Sequence, residues 1–354
     1  MNNKHYKYSN MDEWTLFLFD NTAENLKKWI GKPIRGKIYT TEDVAKDAHR
    51  FTTKTLTFIK TMKELGLIDP TNIDNVCENI FNSTHQIDYL SENERNIFGI
   101  AEKEQKRIRL NPNMGMNVSD NQEVNEKQND YMLDLYLFHE LAHKCLPKID
   151  NTFDSIPTLM KFKNSSTVYG YQALEEAVAQ EIAEMCYYKH KNLERPAKTK
   201  HTDTILPKVV FKSNFNYYGL YQPVAVSFGR ALRGVGKSSD DSSEKIMYDL
   251  CHRATHNNLL TSIVEEYKHD GLETECFQLF HTLAHIYSAK QNSFGVHSGL
   301  KNQSLNPNTN EFEPSLEEEL GVNVDVKKLY MWVIDKLNSL EDYRPLLPQS
   351  APQQ

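Results

Sequence analysis

The sequence predicts a predominantly helical α+β fold, on three observations. Most of the chain carries apolar residues at helical spacing; one short region, Gln86 to Asn111, switches to two-residue alternation; and polar or Gly/Ser-rich stretches separate the periodic segments. Helices are expected over about 11–29, over about 41–65 with Thr40 or Thr41 as N-cap and Gly66 as stop, and over about 70–82, opened by Asp69-Pro70. The runs Ile87-Asp88-Tyr89-Leu90, Ile97-Phe98-Gly99-Ile100 and Arg107-Ile108-Arg109-Leu110 read as strands of a small antiparallel sheet or hairpin.

Residues 113–129 are polar and unpatterned, and are expected to form a loop. A helix follows from about Asp130, a plausible N-cap, to Leu146, where Pro147 ends it. Further helices are expected at about 172–189, 221–233, 242–256, 258–268, 272–290 and 324–340, with a linker around Gly234 to Ser243 and a loop at 292–314. The organisation expected is a helical N-terminal region (1–90), a catalytic core (91–234), a helical C-terminal region (235–345) and a disordered tail (346–354).

Composition limits the function classes. With 39% apolar and 25% charged residues, the chain has the balance of a soluble globular protein. No apolar run approaches the roughly 20 residues of a spanning helix, so no membrane is expected as a partner. The N-terminal segment lacks the order of a secretory signal, which gives a cytoplasmic expectation. Net charge is −7 and no Lys/Arg block interleaves with aromatics, so nucleic acid is not expected as a partner either. The five cysteines form no CxxC pair and read as reduced, mostly buried thiols.

The chemistry-bearing motif is His139-Glu140-Leu141-Ala142-His143. Histidines at i and i+4 lie one above the other on a helix and can both ligate one Zn²⁺. Glu140 lies about 100° around the same turn, beside the metal without being forced onto it, where a carboxylate can deprotonate an activated water. HExxH recurs by chance in chains this rich in His and Glu, so context matters. Here the motif sits on a helix with an apolar stripe (Met132, Leu135, Tyr136, Ala142, Leu146) and follows an alternating strand. The bland alternative is a pair of ordinary histidines on an amphipathic helix.

A catalytic zinc needs a third protein ligand and an open position. The next helix offers Glu176, which shares a face with Ala173, Gln180 and Ala183. A Glu-rich run is by default a solvated face, but these small residues suit close approach to a neighbouring helix. HExxH followed downstream by Glu in an E-A-x-A setting resembles the gluzincin branch of the zincin metallopeptidases. The resemblance implies a zincin fold with two lobes flanking a zinc cleft, metal ligands His139, His143 and Glu176, and Glu140 as general base. Tyr169-Gly170, seven residues before Glu176, with Ala179 three after it, is similar to the corresponding stretch of anthrax lethal factor type catalytic domains. That likeness implies Tyr169 as the oxyanion donor; Tyr171, Tyr217, Tyr218 and Tyr221 are its rivals.

Two further HxxxH pairs, His252/His256 and His281/His285, read as core or helix-packing histidines in preference to a structural metal site or a decayed duplicate; Thr282 replaces the Glu in the second. Cys145 and Cys186 read as core, and the aromatic stretch Phe215 to Tyr221 stays unassigned. The function expected is a zinc endopeptidase acting on a peptide or protein substrate. The strand at Arg107 to Leu110 is expected to hold that substrate by edge pairing, between an upper lobe of sheet and HExxH helix and a lower lobe of helices. The alternatives are a metal-binding but non-proteolytic interaction or regulatory protein, and a helical module without metal.

Overall fold

A computed structural model describes residues 7–91, 94, 98–102, 104–113, 122–146, 165–194, 225 and 243–256. The helices expected at 258–268, 272–290 and 324–340, all but Ala225 of the one at 221–233, the loop at 292–314, the tail, His281/His285 and the stretch Phe215 to Tyr221 lie outside them. Packing divides the chain into two units. The first comprises Met1–Pro147, Ala179–Pro196 and Cys251–Asn257. In the second, the described residues are 165–178, 225 and 243–250, all helical.

The first unit opens with α1 (Met11–Leu26), continued by a 3₁₀ turn at Lys27–Trp29. Its buried residues Met11, Trp14, Leu18, Thr22 and Leu26 form one stripe at helical spacing. Next comes a two-residue ribbon, β1 (Pro33–Ile34) paired antiparallel with β2 (Lys37–Ile38). The turn between them needs positive φ twice, at Arg35 (53°) and Gly36 (74°), the signature of a tight hairpin turn matched to strand twist. Arg35 tolerates that backbone because its guanidinium is held by Asp47 (2.9 Å) and also meets the Tyr89 hydroxyl.

Helix α2 (Thr41–Glu64) begins at a capping box: the Thr40 hydroxyl accepts from the Asp43 amide, and the Asp43 carboxylate accepts from the Thr40 amide at 2.8 Å. It ends at Gly66 (φ +71°), where the Leu67 amide reaches back to the Met62 carbonyl, a Schellman closure that requires the left-handed residue. Helix α3 (Ile73–Ser83) starts later than expected. Asp69-Pro70 opens a turn, because the Asp69 carboxylate caps the Thr71 amide (2.7 Å) and the Asn72 side chain caps the Asp69 amide (2.8 Å) before the first helical residue.

The three-stranded sheet contains β3 (Gln86–Tyr89), β4 (Gly99–Glu102) and β5 (Arg107–Leu110) in the order β3-β5-β4. β4 pairs antiparallel with β5 as a hairpin, but β5 lies parallel to β3, so the sheet is mixed, not antiparallel. The order also corrects the place expected for Arg107 to Leu110: β5 is the central strand, with both edges used, and β4 is an edge. Ile108 and Leu110 point into the core, while Arg109 forms ion pairs with Glu94 (2.7 Å) and Glu102 (2.6 Å) on the other face.

Helix α4 (Gln122–Cys145) carries the HExxH motif. It begins eight residues before the expected cap at Asp130, so part of the expected loop at 113–129 is helical and Asp130 is interior. Every residue from Met132 to Ala142 is buried, so this part of α4 is covered on all sides. Charge fixes the middle of the helix: Asp134 is paired with Arg50 (2.8 Å) and Lys54 (2.7 Å) of α2, and Arg50 also meets Asp130. At its C-terminal end Lys144, 2% exposed, donates to the Ser83 carbonyl at the end of α3 (2.7 Å).

Helix α5 (Ser165–Lys191) begins seven residues earlier than the expected start near 172. From Ala179 onward it belongs to the first unit, where Tyr187 packs edge-on against Tyr131 of α4 at 5.0 Å. Helix α6 (Ser243–His256) contributes its last turns, from Cys251, to the same unit. Cys77, Cys145, Cys186 and Cys251 are buried, and burial pushes the Cys77 thiol up to about 12 and raises that of Cys186. Among the described residues, no helix is long and apolar enough to cross a membrane.

Candidate metal centre

On α4 the two motif histidines turn their Nε2 atoms toward each other at 3.0 Å, with rings nearly perpendicular. Two nitrogens sharing a tetrahedral ion at about 2.0–2.1 Å would stand about 3.3 Å apart, so the pair already holds nearly the bite a metal needs. The rings have different exposure. His139 is buried at 1% exposure, beside the Tyr136 ring at 6.1 Å, whereas His143 is half-buried. The pair thus joins a ring fixed in the interior to one that reaches solvent.

Glu176, the third ligand that the resemblance implies, lies on α5 within the second unit and is half-buried. Gln180 and Ala183, which the sequence places on one face with this Glu, are buried, as are Ala177 and Ala179; the side chain of Ala173 lies outside the described residues. Two imidazoles and a carboxylate make a borderline N/O donor set suited to zinc.

Glu140 is buried at 5% exposure, beside the two histidines on the same turn. Its position depends on a residue that the sequence reading passed over. A Cβ built on Gly99, the first residue of β4, would stand 2.6 Å from Glu140 Oε1 and 2.9 Å from its Cγ. Only glycine lets the β4 backbone approach this carboxylate so closely. The neighbouring Phe98 stacks on Tyr136 of α4 at 5.0 Å, so residues 98 and 99 run along the helix from Tyr136 to Glu140. A glycine inside an otherwise apolar strand pattern was the available signal.

Tyr169 lies within α5 and not on a preceding loop, two turns or about 10.5 Å along the axis from Glu176. Its side chain lies outside the described residues. A second donor group forms in the first unit: His252 and His256, expected as core or helix-packing residues, are half-buried and lie with Asp69 so that their ligand atoms fall within 4.8 Å of one another. No described protein family, curated protein or solved structure matches the chain.

Proposed function

We propose that the protein is a zinc-dependent endopeptidase of the gluzincin kind, with His139, His143 and Glu176 as ligands and Glu140 as general base. The observation that carries this reading is the facing pair of His139 and His143 Nε2 atoms, 3.0 Å apart, with the buried Glu140 carboxylate on the same helical turn. The donor set fits a catalytic zinc: three protein ligands leave one position open. When bound, the ion supplies Lewis acidity toward a water and a peptide carbonyl.

The chain's own groups do the rest. Glu140 takes the proton of the attacking water on a carboxylate oxygen and returns it to the departing amine. Gly99 keeps that carboxylate in place by leaving room for it. Among the described residues β4 pairs on one side only, with β5, so its other edge offers backbone N–H and C=O groups to an extended peptide running past Glu140. Tyr169, assigned by the resemblance, supplies the oxyanion donor in this scheme. Replacing it with Phe lowers kcat by about 10²-fold with little change in metal content.

Crystals of zinc-loaded protein test the reading directly. An anomalous peak at the zinc edge within bonding distance of His139, His143 and Glu176 is expected; a map without density at that position removes it.

A further inference from the structure

The geometry points to a second divalent-cation site, separate from the HExxH centre, in which Asp69, His252 and His256 bind a zinc-type ion that staples the end of α6 to the turn between α2 and α3. The three side chains present ligand atoms within 4.8 Å of one another, and all three residues belong to the first unit. Contraction of this set to about 3.3 Å is what an ion held at about 2.0–2.1 Å requires.

Hydrogen bonding fixes what each ligand presents. His256 Nδ1 lies 2.8 Å from the His252 carbonyl, which can only accept, so the proton sits on Nδ1. Nε2 is then the nitrogen left to face Asp69 Oδ2, at 3.1 Å, where either a ring proton or a shared cation joins the two. An imidazole whose other nitrogen donates to a backbone carbonyl is the usual arrangement of a metal-ligating histidine.

Asp69 is prepared in the same way. Its Oδ1 is taken by the amide (2.7 Å) and hydroxyl of Thr71, which orients the carboxylate and leaves Oδ2 to His256. The third group, His252, stacks on His256 with ring centroids 4.0 Å apart, so one cation held by Asp69 is within reach of both rings.

The two elements are already docked without the ion. The Thr255 hydroxyl donates to the Leu67 carbonyl (2.6 Å), and the Asn72 side-chain amide donates to the Thr255 carbonyl (3.0 Å). The ligands therefore come from segments more than 180 residues apart in sequence but held together by neutral hydrogen bonds, so little ordering remains for binding to accomplish. The half-buried position suits a structural or regulatory ion in exchange with solvent.

The test uses full-length protein carrying His139→Ala and His143→Ala, which disables the HExxH centre and makes the result independent of the peptidase reading. Titrated with Co²⁺ alone, this protein is expected to bind one equivalent with visible d–d absorption of a low-symmetry N/O site. Adding Asp69→Asn with His256→Gln is expected to weaken binding by more than about tenfold, the least that even an outer-shell change costs. No binding to the first protein, or equal affinity in the second, overturns the proposal. Hydrogen exchange of the unmodified chain with and without Zn²⁺ supplies a reading free of mutation. Slower exchange at both 67–72 and the last turn of α6 supports the site, and unchanged exchange there overturns it.

Discussion

At the scale of single residues, the position of Glu140 is set from outside its own helix. The carboxylate occupies the volume that a Cβ at residue 99 would fill. Gly99→Ala is therefore expected to displace Glu140, a flexible end, and to leave the sheet standing. A misplacement of about 1 Å at a reacting group costs about 10²-fold in rate, so kcat should fall by that order while zinc content and thermal midpoint stay near wild type. Peptide hydrolysis alongside a thermal melt checks both. A fall in stability with kcat unchanged would mean that Gly99 serves the fold alone. HExxH was legible in the sequence because helical spacing by itself puts His139 and His143 on one face. The role of Gly99 was not, because a close approach between strand and helix depends on tertiary packing that spacing does not encode.

Among elements, α4 is held by charge at its middle and by a lysine at its C-terminal end. Asp134 is buried, with its side chain 6% exposed, against Arg50 and Lys54. Burial pushes its carboxyl up, but the two cations outweigh burial and hold it below the ordinary value. Asp134→Ala leaves buried positive charge unanswered and should cost about 3 kcal/mol in urea unfolding. The depressed folded value means that this contribution is complete above about pH 4, the ordinary Asp value, and is lost as pH falls through the folded value. The stability gap between wild type and Asp134→Asn should then narrow progressively below pH 4 and be constant between about pH 5 and 7. A gap that widened in acid would contradict the pairing. Thr40→Ala, which removes the α2 cap, should cost about 1 kcal/mol in the same assay.

Helix boundaries set by local chemistry were the most legible elements: the Thr40 cap and the Gly66 stop fall where sequence signals put them. The start of α4 was not, since Gln122 to Asn129 has no apolar stripe of its own and its helical state extends the buried segment that follows. Strand order was equally hidden. The alternation in Arg107 to Leu110 gives a strand and its two faces, but nothing in it distinguishes a central strand from an edge or predicts parallel pairing with Gln86 to Tyr89.

For the whole molecule, metal binding and folding are linked. An ion bound by the native chain and not by the unfolded one adds about 2.7 kcal/mol at a hundredfold excess over Kd. Chelation should accordingly lower the melting temperature, and free Zn²⁺ should restore it in a concentration-dependent way. A midpoint indifferent to both would mean that the donor groups hold no ion. The mostly helical α+β character was legible from periodicity alone.

The central claim is that an activated water is deprotonated by Glu140 beside a metal held by His139, His143 and Glu176. The most direct measurement compares peptide-library hydrolysis by zinc-loaded wild type and Glu140→Gln, each with zinc at the HExxH centre verified by anomalous scattering. Wild type should cleave, and the variant should keep its ion and lose about 10²–10⁴-fold in kcat. Equal turnover by two proteins with equal zinc at that centre would contradict the account.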